Sequence, residues 1–171
     1  MKIALMSDAH LKTALMQDAI NFLKVKGASY IAHAGDLEIK ENLDLLKNSG
    51  LIYVSVFGNN DYDLYQYQND YKINKEPYYF KIKNETFKLM HIPNYLTPDS
   101  NIVIFGHTHK FEHEYVNNTL FINPGELCAR NKPLSECVLL EILEDKFIID
   151  YYFKEVLKDD IWQTKQFVYE R

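Results

Sequence analysis

Glycine is scarce in this chain of 171 residues, where it occurs only six times. Neither GxxxxGK nor GxGxxG is present, so the sequence lacks the phosphate-binding loops of ATP, GTP and dinucleotide sites. Cysteine is scarcer still, because Cys128 and Cys137 are the only two and they form no CxxC motif. A disulfide-stapled fold is therefore excluded, and we expect a protein of the reducing cytoplasm.

Long apolar runs are also missing. The longest, Leu51–Phe57, contains Ser55 and is far shorter than the ~20 residues needed to cross a bilayer. The apolar stretch Ile3–Met6 ends at once in Ser7-Asp8, so it is not the core of a signal peptide. Acidic residues outnumber basic ones by 24 to 19, a net charge of −5. We therefore expect no membrane partner, and a nucleic-acid backbone is disfavoured as a partner.

The order of predicted elements indicates an α/β protein of mixed α+β type. Strands at Lys2–Met6, Tyr30–Ala34 and Leu51–Phe57 alternate with helices over 12–26 and 37–48, which is typical of a parallel layer covered by helices. The second half is mainly β, with strands predicted at Tyr78–Ile82, Thr86–Met90, Asn101–Phe105, Glu114–Val116, Thr119–Asn123, Glu136–Ile142 and Lys146–Phe153. We expect one domain over 1–171, built as a two-sheet β-sandwich flanked by helices.

Two segments remain open at this point. Residues 61–76 are polar and rich in tyrosine, which predicts a helix and loop whose rings cover the edge of the core. A substrate cap or a dimer surface is the alternative for this segment. The tail, residues 155–171, is ambiguous between a helix and an extended strand.

Polar side chains follow the predicted strands at their carboxyl ends, where α/β folds assemble their sites. Asp8/His10 and His107/His109 are each two residues apart, so extended backbone would point both members of a pair in the same direction. The whole set of candidate metal ligands is two Asp, one Asn and four His, namely Asp8, His10, Asp36, Asn59, His91, His107 and His109.

Seven such residues are too many for one tetrahedral zinc, but they suit two divalent cations that share a carboxylate. Carboxylate, amide and imidazole donors without a thiolate favour Mn²⁺, with Fe²⁺, Zn²⁺ or Ni²⁺ as alternatives. Two such ions would make the pocket locally cationic and attractive to a phosphate.

Any one of the Asp or His ligands taken singly also has a structural interpretation, such as a helix N-cap for Asp8 or Asp36. Two histidines lie outside the ligand set. His33 is interpreted as a buried hydrogen-bonded histidine, and His113 as a loop residue or a substrate contact.

Five motifs in a fixed order resemble those of the calcineurin-like metallophosphoesterases. They are SDAH (Ser7–His10), AGD (Ala34–Asp36), GNND (Gly58–Asp61), His91 after a strand, and GHTH (Gly106–His109). With INPGE (Ile122–Glu126) following GHTH, the chain is similar to the small bacterial and archaeal phosphodiesterases typified by YfcE. The resemblance extends from Met1 to Ile142.

The resemblance implies a metallophosphoesterase-like sandwich that hydrolyses a small phosphodiester with hydroxide activated by two metal ions. Asp36 would bridge the ions and Asn59 would neutralise charge on phosphoryl oxygens. The implied metal ligands are Asp8, His10, Asp36 and His109 for the first ion, and Asp36, Asn59, His91 and His107 for the second. Asp61 is either a residue that orients a ligand imidazole or a structural turn residue. Candidate substrate contacts are Asn60, Arg130 and Lys132.

The sequence departs from the family pattern at three positions, the first of which is His91, which lies in MHIPN rather than in the more usual HG context. Many relatives have a histidine after the GN asparagine, where this chain has Asn60, so a strong general acid is missing there. Relatives often have serine after NPG, where this chain has Glu126. A phosphomonoesterase or nucleotidase, and a protein-binding scaffold similar to the Vps29 subunit of retromer, are the alternative functions. The tyrosine-rich surface and the sheet edges would also permit a homodimer.

Overall fold

Two β-sheets form the frame of the molecule in a computed structural model that describes residues 1–158 and 161–171. Within these described ranges, two α-helices and a short 3₁₀ helix complete it. In chain order the elements are β1 (Lys2–Met6), α1 (Thr13–Val25), β2 (Tyr30–His33), α2 (Lys40–Asn48), β3 (Ile52–Val56), the 3₁₀ helix (Tyr62–Tyr67), β4 (Ile73–Asn74), β5 (Tyr78–Ile82), β6 (Glu85–Leu89), β7 (Ile102–Ile104), β8 (Phe111–Val116), β9 (Thr119–Pro124), β10 (Leu134–Ile142), β11 (Lys146–Glu155) and β12 (Gln163–Glu170).

The larger sheet has seven strands in the order β12-β11-β10-β1-β2-β3-β4, and the smaller has five in the order β5-β6-β7-β9-β8. Strands β1 to β4 are parallel to one another, whereas β10, β11 and β12 pair antiparallel. Within the smaller sheet β6, β7 and β9 are parallel. The carboxyl ends of the parallel strands in both sheets are thus available for the loops that carry function.

The core has two layers because side chains alternate along each strand. Ile3 and Leu5 of β1 lie between the two sheets, together with Phe87 and other apolar residues of the smaller sheet. Ala4 and Met6 point the other way, into the layer that the two helices cover. The expected two-sheet α/β sandwich flanked by helices is therefore confirmed.

The element boundaries differ from the predictions in a few places. Helix α2 begins at Lys40 rather than at 37, because Glu38 has a left-handed backbone, with φ 60°, that interrupts a helix. Strand β8 begins at Phe111, earlier than expected. The ambiguous tail forms strand β12 at the edge of the larger sheet, and residues 159 and 160 of that tail lie outside the described residues.

The tyrosine-rich segment 61–76 forms the 3₁₀ helix and the two-residue strand β4. Its Leu64 and Tyr71 are buried, and the ring of Tyr65 stacks on Phe57 with 4.2 Å between centroids. The segment therefore covers the core edge, as the first interpretation predicted. Among the described residues, none of the helices has the length and apolar character needed to cross a membrane.

Packing between the sheets predicts a large effect of Phe87→Ala. Phe87 is fully buried and stacks on Phe80 with 4.9 Å between ring centroids. Removing its ring should lower the free energy of unfolding by about 3–5 kcal/mol, measured by urea denaturation. Val168→Ala, at a position that is 49% exposed on β12, is the control and should cost less than about 0.5 kcal/mol. Equal effects of the two substitutions would contradict this account of the core.

Candidate metal centre

One end of the sandwich gathers the seven candidate ligands from the loops that follow β1, β2, β3, β6 and β7. In the first half of this cluster, Asp8 Oδ1 lies 3.3 Å from His109 Nε2. Asp36 Oδ2 lies 3.7 Å from His10 Nε2, and the rings of His10 and His109 stack with 5.3 Å between centroids. The four side chains of this half therefore enclose one small volume.

The second half shares Asp36 with the first. Asp36 Oδ2 lies 3.4 Å from His91 Nε2. Asn59 Oδ1 lies 2.9 Å from His91 Nε2 and 2.9 Å from His107 Nδ1. All seven predicted ligands are thus brought together, and Asp36 stands between the two halves.

The predicted reason for this convergence is wrong, because the paired residues are not in extended backbone. Strand β1 ends at Met6 and β7 at Ile104, before either pair. The φ angles are 53° at Asp8, 47° at His10, 68° at His107 and 60° at His109, which is the left-handed region that L residues seldom adopt. Left-handed residues within the loops after β1 and β7, rather than the alternation of side chains along a strand, direct these side chains toward the site.

Hydrogen bonds between neighbouring loops hold these strained turns in place. The Asp8 N–H donates to Gly35 O at 3.1 Å, and the His10 N–H donates to Asp36 O at 2.9 Å. Gly58 is required where β3 ends, since a Cβ there would lie 2.1 Å from Asp36 Oδ1. The strain of the site is therefore offset by contacts that only this arrangement of loops permits.

The pKa values of the two central carboxyl groups, Asp36 and Asp8, are shifted in opposite directions. Burial favours the neutral form of Asp36, but hydrogen bonds from His91 and Asn60 outweigh it and hold its pKa well below the ordinary value. For Asp8, burial dominates and raises the pKa. Burial also opposes charging of His91, yet the neighbouring Asp36 carboxylate raises its pKa above the usual value. Asp36 is thus the anionic centre of the cluster.

Two buried atoms of the cluster have no hydrogen-bond partner among the described residues. They are Asp8 Oδ1 and His10 Nε2, and both residues are at most 6% exposed. An unsatisfied buried carboxylate oxygen or imidazole nitrogen costs free energy unless a ligand occupies it. Oxygen and nitrogen donors of this kind fit a divalent cation.

Two groups of three residues each bring their potential ligand atoms within 4.8 Å of one another inside the group. Asp8, Asp36 and His91 form one group, and His10, His109 and Cys128 form the other. Cys128 was not among the predicted ligands, because the sequence alone placed no thiol near the site. Burial raises its pKa to about 12, with the neighbouring Glu126 carboxylate adding to the effect.

Three of the imidazoles are oriented from behind by an oxygen acceptor. His10 Nδ1 donates to Glu38 Oε1 at 2.6 Å, and His109 Nδ1 donates to Glu126 Oε2 at 2.6 Å. His91 Nδ1 donates to Ala34 O at 2.8 Å. In each ring Nε2 points toward the centre of the site, where that of His91 contacts Asn59 Oδ1, as in metal centres whose ligand histidines are held by outer hydrogen bonds.

Glu38 and Glu126 are functional candidates that the sequence analysis missed. The sequence signal for Glu126 was that it replaces the serine found in relatives after NPG. The structure shows that its carboxylate binds His109. The fully buried Glu126 carboxylate also accepts the backbone N–H groups of Asn131 and Lys132, both at 3.0 Å. Burial opposes its ionisation, but the bonds from His109 and these amides lower its pKa below the ordinary value.

Asp61 supports the structural-turn interpretation. Its carboxylate accepts backbone N–H groups from Asp36 at 3.0 Å, Glu38 at 2.6 Å and Gly58 at 2.7 Å. None of the bonds described for Asp61 goes to an imidazole, so the prediction that it orients a ligand ring by direct contact is not supported. Asp61 instead fixes the loops that follow β2 and β3 relative to each other.

The three predicted substrate contacts have different surroundings. Asn60 donates its backbone N–H to Asp36 Oδ1 at 2.9 Å and its amide to Asp36 Oδ2 at 2.7 Å. Lys132 Nζ lies 2.9 Å from His109 O and 2.6 Å from Glu136 Oε2, so its charge is already paired. Arg130 is exposed. A role in holding the site together is therefore evident for Asn60 and Lys132.

The two remaining histidines differ from their predicted settings. His33 is fully buried, but neither ring nitrogen has a hydrogen-bond partner in the described part of the chain, and burial lowers its pKa to about 3. His113 lies within β8 rather than in a loop, because the strand begins earlier than expected. Its Nδ1 is 2.8 Å from the Tyr169 hydroxyl.

Comparison with known proteins places this geometry in context. The model of the calcineurin-like phosphoesterase superfamily domain matches residues 1–145. Phosphodiesterase MJ0936 of Methanocaldococcus jannaschii is 28% identical, over 75% of this chain and 86% of that protein. A Vps29 single mutant from Entamoeba histolytica superposes with a TM-score of 0.77 at 24% identity, over 99% of both chains. A predicted phosphoesterase from Streptococcus pneumoniae superposes with a TM-score of 0.71 at 20% identity, over 99% and 97% of the chains.

The contacts of Glu126 predict a pH-dependent effect of Glu126→Gln in metal-free protein. A carboxyl group whose folded pKa is depressed stabilises the fold above its unfolded pKa of about 4.3, and this contribution is lost as the pH falls through the folded value. The variant, whose amide cannot accept all these bonds, should be less stable at pH 7 by about 1–3 kcal/mol. The difference in unfolding free energy should shrink below about pH 4.

Urea denaturation between pH 3 and pH 8 measures this effect. Glu112→Gln, which changes an exposed residue on β8, is the matched control and should change stability by less than about 0.5 kcal/mol. A Glu126→Gln effect of the same size at every pH would contradict the assignment of an ionised Glu126 to His109 and the 130–132 amides.

Proposed function

The chain belongs to the calcineurin-like phosphoesterase superfamily, and from this premise we propose that it is a metal-dependent phosphodiesterase acting on a small phosphodiester. Membership confirms the resemblance seen in the five sequence motifs. The observation that carries the proposal is the convergence of two Asp, one Asn and four His at one end of the sandwich. The phosphodiesterase name of the M. jannaschii relative supports the choice of a diester.

The donor set supports two positions for divalent ions. Asp8, His10, Asp36 and His109 would hold the first ion, and Asp36, Asn59, His91 and His107 the second. Asp36 suits the bridging role because its Oδ2 lies within 3.7 Å of His10 Nε2 and 3.4 Å of His91 Nε2. We propose Mn²⁺ as the first ion to test, with Fe²⁺, Zn²⁺ and Ni²⁺ as alternatives.

Bound divalent cations supply an activated water at neutral pH and neutralise charge on the phosphoryl group. The residues of the chain provide the rest. Asp8 and His91 form a buried floor, whereas Asn59 and His107 form an exposed rim through which the substrate enters. The Asn59 oxygen faces His91 Nε2 and His107 Nδ1, where it would join them as a ligand of the second ion, and the Asn59 amide nitrogen would donate to a phosphoryl oxygen.

Isosteric replacement of the shared carboxylate tests the proposal. Asp36→Asn removes the negative charge between the two halves, and we expect Mn²⁺-dependent hydrolysis of a chromogenic bis-aryl phosphodiester to fall about a hundredfold or more. His107→Ala should have the same effect. Asp150→Asn, which alters an acid paired with Gln166 on the larger sheet, is the matched control and should retain wild-type turnover. Full activity of either site variant would remove the proposed centre.

The residue after Asn59 predicts a preference for good leaving groups. Asn60 has no titratable proton to give to a departing alkoxide, and its amide is bonded to Asp36. Turnover should therefore fall steeply as the pKa of the leaving alcohol rises across a series of aryl and alkyl phosphodiesters. Asn60→His should flatten this dependence by adding a proton donor. A wild-type rate that is independent of the leaving group would show that another residue is the acid.

Two other functions remain candidates. A phosphomonoesterase or nucleotidase would turn over a monoester analogue faster than the matching diester. A protein-binding scaffold is suggested by the fold shared with Vps29, and it would hydrolyse neither ester, with or without added metal ions. A cytoplasmic location, a homodimer and a single domain over 1–171 stay predictions.

A further inference from the structure

We propose that Cys128 is an additional ligand of the first metal position and makes that position select Zn²⁺ or another thiophilic ion over Mn²⁺. The inference rests on the proposed function, since it requires that this end of the sandwich bind a metal ion. It assigns a role to one of the two cysteines that the sequence analysis left without one.

Geometry brings Cys128 to the first position. Potential ligand atoms of His10, His109 and Cys128 all lie within 4.8 Å of one another. The sulfur and nitrogen ligands of one tetrahedral zinc are about 3.6 Å apart. Small side-chain rotations would therefore bring the three atoms around a single ion.

Independent evidence for a ligand comes from two unsatisfied atoms at the first metal position. His10 is 6% exposed and its Nε2 has no hydrogen-bond partner among the described residues. Asp8 Oδ1 is likewise without a hydrogen bond and lies 3.3 Å from His109 Nε2. One ion held by Asp8, His10, Asp36 and His109, with Cys128 as the additional ligand, would satisfy these atoms together.

The backbone fixes Cys128 beside this group. Its N–H donates to Asp8 O at 3.1 Å, and the preceding Leu127 N–H donates to Ser7 O at 3.1 Å. The segment after β9 thus runs along the loop that supplies Asp8 and His10. Cys128 Sγ lies 3.5 Å from Glu126 Oε2, the carboxylate oxygen that also accepts the proton of His109 Nδ1.

Sulfur makes the two metal positions chemically different. The residues proposed for the second position offer only oxygen and nitrogen, whereas the first gains a soft thiolate. On binding, the Cys128 Sγ–H bond breaks, the sulfur keeps the electron pair and donates it to the ion, and the proton is released to solvent. Each ion bound at the first position should therefore release one more proton from wild type than from Cys128→Ser.

Cobalt spectroscopy tests the sulfur ligand directly. Wild type is stripped with EDTA and titrated with Co²⁺, while the near-ultraviolet charge-transfer band of a Co²⁺–thiolate bond is recorded. Bound Co²⁺ is measured separately by equilibrium dialysis. We expect the band in wild type and its loss in Cys128→Ser, which should still bind Co²⁺ through its remaining ligands.

The second cysteine provides the matched control. Cys137 is fully buried in the core layer beneath the helices, and Cys137→Ala should keep the band. Zn²⁺ affinity should fall about tenfold or more in Cys128→Ser, while Mn²⁺ affinity should change less than about threefold. Equal losses for Zn²⁺ and Mn²⁺ would overturn the proposed selectivity.

The outcomes separate this inference from the proposed function. Co²⁺ bound by wild type without a thiolate band would overturn the role of Cys128 and leave the metal-dependent phosphodiesterase intact. Wild type that binds no Co²⁺ at all would overturn both. Absence of the band from wild type is decisive by itself, and retention of the band in Cys137→Ala assigns it to Cys128, so the test does not depend on how well Cys128→Ser folds.

Discussion

The ionised carboxylate of Asp36 is the contact on which the rest of the site depends. It lies between the two groups of imidazoles, and His91 and Asn60 keep it charged despite its burial. Gly58 leaves room for it, because any side chain at that position would collide with the carboxylate. The Asp61 carboxylate in turn holds the Asp36 and Gly58 amides. Loops from two neighbouring strands are thereby locked around one negative charge.

A second layer of acids explains how strained turns can present several ligands accurately. The left-handed residues His10 and His109 are each held by a carboxylate on their Nδ1 atoms, from Glu38 and Glu126. Such outer hydrogen bonds fix the ring orientation and raise the basicity of the ligand nitrogen. The backbone strain is therefore the cost of aiming Nε2 inward, and the outer carboxylates and interloop amide bonds offset it.

An acidic chain can bind the proposed anionic substrate because bound divalent cations would change the local charge of the site. The site concentrates carboxylates, which repel a phosphodiester until divalent cations are bound. Metal ions would then reverse the local charge while the rest of the surface stays acidic. A thiol ligand at the first position would bind one ion more selectively than the oxygen and nitrogen donors alone.

Sequence by itself determined the two-sheet class, the approximate positions of most strands and the seven candidate ligands, because apolar periodicity and the polar residues after each strand are local signals. Asp8 and His10, for example, were placed together by their spacing, although the extended backbone assumed for them was wrong. The positions of Glu38, Glu126 and Cys128 beside the site were decided only by the tertiary structure. Their partners are far apart in the chain, as with Glu38 and His10 or Glu126 and His109, and no local pattern encodes which carboxylate lies behind which imidazole. Left-handed turns held by contacts between loops bring those groups together, and such contacts exist only once both sheets have formed.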